Sequence, residues 1–181
     1  SITDANGYFF PMIWPNDNYG DAFALSKANW KIEEIERELR AQIELAKKYI
    51  PQLSHVSTHM GCGSISPEVG EVVNKLAKEY DLDIDTKEYG VARATYVGNK
   101  STPAEKESAF IAMLESLKPG TFIFVDHPGY NTTEMQAIHH VGYENVAMDR
   151  EGVTQTFTSD KVKETIEKLN IEVISYADLK K

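Results

Sequence analysis

Apolar residues Ile32, Ile35, Leu39, Ile43, Ala46 and Ile50 recur at three- and four-residue steps among dense charge. That spacing predicts one long amphipathic helix over about 27–50, ended by Pro51. The same period returns at Val69, Val72, Val73 and Leu76. Ser66 stands there as N-cap and Pro67 at the first helical position, and the helix should end near Tyr80. Thr102-Pro103 opens another helix with Phe110, Met113, Leu114 and Leu117 on one face, stopped by Pro119-Gly120. Ser159 should cap a helix over 160–169 through Val162, Ile166 and Leu169, and fainter helical patterns run over 132–141 and 144–157. Between these lie strand patterns at 53–58, 82–85, 91–97 and 171–174. A continuous apolar run at 121–125 reads as a fully buried parallel strand. Residues 1–26, in which Tyr8, Phe9, Phe10, Trp14 and Tyr19 alternate with prolines, asparagines and glycines, read as an ordered loop.

Short strands alternating with amphipathic helices argue for an α/β fold of βα units on a parallel sheet or barrel. Neither a repeat nor a linker divides the chain, so residues 1–181 read as a single domain. In parallel α/β folds the working residues collect at the carboxyl ends of strands. Attention therefore falls on 58–64 and 126–130.

Composition narrows the function classes. With 181 residues, 41% hydrophobic and 26% charged, the chain has the profile of an ordinary globular domain. A net charge of −9, with cationic clusters no longer than Lys47-Lys48 or Lys180-Lys181, argues against a nucleic-acid partner. No apolar run approaches the roughly 20 residues of a membrane-spanning helix, so no membrane partner is expected. Cys62 is the one cysteine, which rules out an intrachain disulfide and a thiolate-rich zinc site. It leaves the compartment open with a lean to the cytoplasm, and a homodimer is compatible with everything above. The chain opens on Ser1-Ile2-Thr3-Asp4 within loop-like sequence. That start suggests that an upstream segment belongs to the protein.

The five histidines are His55, His59, His127, His139 and His140. His55 and His59 are four apart, but on an extended strand that separation is about 13 Å, too far for both to hold one ion. His59, at the exit into Gly61-Cys62-Gly63, is the candidate metal ligand. His55 is the candidate core histidine, and a hydrogen-bonded structural role is the plainer alternative for either. His127 follows the 121–125 run and precedes Pro128-Gly129, which suits an acid or base at neutral pH. A turn-capping imidazole would look the same. Asp126 could orient it, although adjacent strand residues point to opposite faces. Cys62 as nucleophile lacks a local signature. His139 and His140 diverge on a helix and read as solvated. Trp14 or Tyr19 could stack on a sugar ring, or simply pack on the fold.

Several strings also occur in a fixed order: Ser54-His55-Val56-Ser57-Thr58-His59-Met60-Gly61, Asp126-His127-Pro128-Gly129-Tyr130, Asp149-Arg150-Glu151 and Ile171-Glu172-Val173-Ile174-Ser175-Tyr176. Together they resemble the YdjC family of carbohydrate deacetylases, over nearly the whole chain. The resemblance implies an irregular, TIM-type (β/α) barrel of which this chain is the central and C-terminal part. It implies a divalent metal, Mg or Zn, held by one aspartate and two histidines, with His59 as the last of them. His127 would be the acid for the departing amine. Tyr130, Trp14 and Arg150 would contact substrate or support the site. The substrate would be an N-acetylated mono- or oligosaccharide. Ser57 stands where the family pattern has an aspartate, and the family's opening Asn-Ala-Asp-Asp-Phe-Gly motif has no counterpart, so the chain alone should bind metal poorly and be inactive. A non-catalytic sugar-binding barrel, or a metal-dependent hydrolase of another amide or ester, stays open.

Overall fold

The stripe beginning at Ile32 forms α1, Ile32–Tyr49, with Glu33 and Glu34 in its first turn and Lys47 and Lys48 in its last, complementing the helix dipole at both ends. The structure is a computed structural model describing residues 1–180, so Lys181, the second of the closing lysine pair, lies outside the described residues. It consists of two compact units, one made of residues 1–85 with 175–180 and the other of residues 86–174.

In the first unit α2, Pro67–Glu79, starts as its sequence requires, with the Ser66 hydroxyl accepting from the Val69 N–H at 3.3 Å and Pro67 at the opening position. Val69, Val72 and Leu76 are buried on it, and Ile35 is buried on α1. Arg40 ties the outer edges of the two helices together, donating to the Glu79 carboxylate, to the Tyr80 hydroxyl at 3.1 Å and to Glu36 at 3.0 Å. The strands expected at 53–58 and 82–85 do not form ladders: one antiparallel bridge, His55 with Asp83, joins these segments. The alternation at 82–85 serves burial instead, with Leu82 and Ile84 in the core. A strand is defined by its neighbour, and an apolar–polar alternation supplies the face to bury without supplying the partner. His55 is held from three sides. Its ring stacks on Tyr176 with centroids 3.5 Å apart, its Nδ1 lies 3.1 Å from the Ser54 hydroxyl, and its backbone makes the bridge.

The second unit begins with β1, Ala92–Arg93, and continues through α3, Pro103–Ser116, β2, Phe122–Ile123, α4, Thr133–Gln136, α5, Val146–Thr158, and α6, Asp160–Lys168. β1 and β2 pair in parallel, Ala92 opposite Phe122 and Arg93 opposite Ile123. Thr102 and Glu105 close α3 with a reciprocal capping box, and Ser159 caps α6 by accepting from Val162. The core joins Ala94, Phe110, Met113, Leu114 and Val162. Phe110, Phe124 and Tyr96 meet edge to face, with Phe110 and Phe124 centroids 4.9 Å apart.

Two expectations change here. The 121–125 run is half-buried rather than enclosed, and its strand is two residues long. Residues 171–174 form no strand. Both patterns report apolar surface correctly, but a fully buried strand needs covered faces and hydrogen-bonded neighbours on both edges, and among the described residues β2 has one neighbour. The chain is thus mixed α/β, with six α-helices and a small parallel sheet among the described residues. No helix among them is long and apolar enough to cross a membrane.

One charged side chain sits in the α3–α5 contact. Lys106 is 4% exposed and places its ammonium 2.7 Å from the Asp149 carboxylate, whose other oxygen accepts from the Tyr143 hydroxyl. Its stem passes Gly152 of α5, where an added Cβ would lie 3.3 Å from Lys106 Cδ and 3.2 Å from Pro103 Cα. A glycine is what allows the lysine through. Burial works against the Asp149 charge, but the bonds from Lys106 and Tyr143 outweigh it and hold the carboxyl below its usual range.

Two stability outcomes follow from this packing. Leu76 is fully buried; Leu76→Ala should cost about 2–5 kcal/mol in chemical denaturation, and a cost no larger than that of a surface change would contradict the packing. Lys106→Met should cost about 3 kcal/mol, at the low end for breaking a buried pair because Asp149 keeps partial exposure. Since the Asp149 pKa is lowered on folding, the pair's contribution is fully present above the ordinary carboxylate range, around pH 4. It is lost as pH falls through the depressed value. The difference in unfolding free energy between wild type and Lys106→Met should therefore shrink in acid. A difference that stays constant to low pH would show that the pair contributes no linkage.

Candidate functional site

β2 runs out into Asp126-His127-Pro128-Gly129-Tyr130, and Asp126 organises the turn. Its Oδ1 accepts the His127 backbone N–H at 2.8 Å, and its Oδ2 accepts the Tyr96 hydroxyl at 2.7 Å. The His127 ring stands in solvent, 64% exposed, with Nδ1 3.8 Å from Asp126 Oδ1. Tyr96 is fixed by Phe110 and Phe124 and lies beneath two cations, with Lys100 Nζ 5.1 Å and Lys106 Nζ 5.5 Å from its ring centroid. Burial, with the Asp126 carboxylate adding to it, holds the Tyr96 hydroxyl well above the usual phenol range, so it is a donor at neutral pH.

The far side of the turn is held by α5. Gly129 N–H donates to the Thr154 hydroxyl at 2.9 Å and faces the Arg150 carbonyl at 3.2 Å. Asn131 N–H donates to the Glu151 carboxylate at 2.8 Å. A Cβ on Gly129 would come 3.2 Å from the Met135 methyl and 3.4 Å from Arg150 Cβ, so the glycine permits close approach of loop and helix. Asp149-Arg150-Glu151 thus divides its work. Asp149 takes the buried lysine, the Arg150 backbone and stem meet Gly129, and Glu151 catches Asn131. The Arg150 guanidinium lies against the Tyr143 hydroxyl, while its Nε is buried with no hydrogen-bond partner among the described residues. Tyr143 is pushed up to about 12, by burial first and by its bond to Asp149 second. Tyr130, at 71% exposure, projects from the same turn as His127.

In the first unit His59 opens a tight 3-10 segment, His59–Ser64, in which Met60 and Gly61 take positive φ of 49° and 71°. His59 is exposed and lies on the wall of a cavity of about 530 Å³ lined largely by apolar residues such as Ile35, Ile43, Val69 and Leu76. His55, Ser57 and Cys62 also line it. Burial pushes the Cys62 thiol up and the His55 imidazole down, so the first is a poor nucleophile and the second favours its neutral form. Trp14 is 43% exposed in the aromatic loop, and Tyr19 packs edge to face on Phe23.

Among the described residues no three His, Cys, Asp or Glu side chains come together as a metal site. His59 is one donor, and the set expected around a divalent ion is not assembled by the residues present. Of the candidates, His127, Tyr130 and Arg150 are joined through the α5-anchored turn of the second unit, while His59 and Trp14 belong to the first unit. Sequence reasoning missed Tyr96, Lys106, Tyr143 and Thr154. Lys106 carried a signal: it precedes Ala109, Phe110 and Met113 by three, four and seven residues, in phase with the buried stripe of α3. A lysine there must find an anion.

Comparison with known proteins places the chain in a family. The family model described as YdjC-like protein matches residues 1–168. A relative named Carbohydrate deacetylase 1 from Listeria innocua is 28% identical over 191 residues, covering 99% of this chain and 70% of its own length. A Carbohydrate deacetylase from Thermus thermophilus is 26% identical over 162 residues, covering 76% of this chain and 56% of its own length. A crystal structure from Enterococcus faecalis V583, titled as a candidate cellobiose-phosphate cleavage protein, superposes with a TM-score of 0.65 at 22% identity. It covers 98% of this chain, and the chain covers 68% of it. With its model matched over 1–168, the chain belongs to the YdjC-like family.

Proposed function

We propose that the chain acts in a carbohydrate deacetylase, removing the acetyl group from an N-acetylated sugar, with His127 protonating the departing nitrogen. Family membership and two relatives named for this activity support the substrate class. The observation that carries the residue assignment is the exposed His127 ring at the end of β2, backed by the Asp126 carboxylate. The fold proposed for this activity is an irregular (β/α) barrel.

Amide hydrolysis adds water across the C–N bond. The water oxygen bonds to the acetyl carbon, a tetrahedral intermediate forms, and the bond to nitrogen breaks. An amine departs poorly at neutral pH unless nitrogen receives a proton as the bond breaks. His127, as imidazolium, supplies that proton, acetate and the free amino sugar leave, and of the two protons the water gives up one restores the imidazolium and one passes to solvent. Tyr130 on the same turn and Trp14 in the aromatic loop offer faces to sugar rings. Arg150 supports the turn through Gly129. A divalent ion, Mg or Zn, would polarise the acetyl carbonyl when bound. His59 is the proposed ligand, but because the described residues do not complete its donor set, no step here is routed through it.

His127→Ala in the full enzyme should lower kcat on an N-acetylated oligosaccharide by roughly 10²–10⁴-fold with metal content unchanged. A matching ester, whose leaving group needs less protonation, should suffer less. Equal loss on both, or loss of metal, would remove His127 from this role. His59→Ala should abolish metal binding in the full enzyme, and stoichiometric metal in that variant would remove His59 as a ligand. The 181-residue chain, offering one donor, should bind Zn weakly in a dialysis titration. Tight binding would show that its own residues complete a site.

A further inference from the structure

Asp126 has more bonding than a turn cap requires. Its side chain is 18% exposed, and among the described residues it forms no ion pair with lysine or arginine. Both oxygens are nevertheless engaged, Oδ2 by the Tyr96 hydroxyl and Oδ1 by the His127 backbone N–H. A carboxylate gripped at both oxygens cannot swing. Tyr96, the hydroxyl that grips it, is itself immobilised between Phe110 and Phe124. Each carboxylate oxygen has two acceptor sites, so Oδ1 keeps one after taking the backbone N–H. A further donor stands close by, the ring nitrogen of His127, with Nδ1 3.8 Å away. The ring is 64% exposed, so the protein leaves it room to turn toward that oxygen. Catalytic hydrogen bonds are commonly long in ligand-free proteins.

The geometry points to Asp126, pinned by Tyr96, as the positioning residue of His127: its Oδ1 accepts Nδ1–H, fixing the tautomer and leaving Nε2 outward as the nitrogen that carries the transferable proton. This rests on the proposed function only for its consequence in turnover. The tautomer itself is a property of the free protein. A turn cap with no further role would hold the His127 backbone and leave the ring indifferent to Asp126. Adjacent positions argued against this pair at the level of strand alternation, but β2 ends at Ile123, and beyond it the backbone is free to bring neighbours to one side.

The test is ¹⁵N NMR of the histidine rings at a pH above their titration, with His127 assigned by its loss in His127→Gln. The expected result in the unmodified protein is a protonated Nδ1. Asp126→Asn, which preserves the backbone cap but leaves a neutral, weaker acceptor at Oδ1, should reduce that preference, and Tyr96→Phe should weaken it. A wild-type ring protonated mainly on Nε2, or ring shifts unmoved by Asp126→Asn, overturns the proposal. Backbone amide spectra report whether either variant is folded, and the wild-type tautomer decides even if both are not. In the full enzyme Asp126→Asn should lower kcat about 10–100-fold with KM little changed, the range typical of losing a group that orients a functional histidine. If the tautomer shifts while kcat holds, the positioning stands and the proton-donor role of His127 falls. If kcat falls with the tautomer unmoved, the positioning is wrong.

Discussion

The buried Lys106 ammonium and its Asp149 partner set what the second unit can be. An unpaired ammonium at that depth would carry a desolvation penalty of several kcal/mol. α5 must therefore lie where it presents Asp149, and Gly152 must lie where the lysine stem crosses. That placement orients the residues after Asp149. Arg150, Glu151 and Thr154 then reach Gly129 and Asn131, so the turn bearing His127 is registered against α5 by the interaction that locks α5 to α3. A polar pair in this position contributes geometry at least as much as stability.

Tyr96 joins the two halves of that arrangement. Its ring takes the cations of Lys100 and Lys106 on its face and aromatic edges from the core, while its hydroxyl points to Asp126. The core side of the tyrosine is apolar and rigid, and the outer side is a single directed hydrogen bond. This is how an exposed imidazole comes to stand beside a carboxylate that does not move.

The first unit has a different character. Its helices bury Val69, Val72, Leu76 and Ile35, yet they also line an apolar cavity bordered by His55, His59 and Cys62. His55 is committed to Tyr176, Ser54 and Asp83, while His59 stands exposed on the cavity wall, so the Ser-His-Val-Ser-Thr-His string holds two histidines in different surroundings. The pattern of commitments separates the two where their four-residue spacing does not.

Helices were legible in the chain because their signals are local: a cap, a proline, a 3.6-residue apolar period. α2, α3 and α6 lie where Ser66, Thr102 and Ser159 say they should, while α1 begins at Ile32, later than the expected start near 27. The family was legible as well, since the order of its strings survives in one dimension. Strands were not, because alternation at 53–58 and 171–174 specifies a face to bury but a ladder requires a partner backbone, which no single segment encodes. Asp126 shows the same division within the candidate site. Its neighbour His127 was readable from the strand, proline and glycine around it. The grip of Tyr96, thirty positions earlier, depends on β1 and β2 lying side by side and on Phe110 packing beneath them. The sequence by itself determined the helices, the acidic charge balance of the chain and the family. Only the tertiary structure decided which carboxylate faces which imidazole, because hydrogen bonds between distant residues are set by packing rather than by spacing.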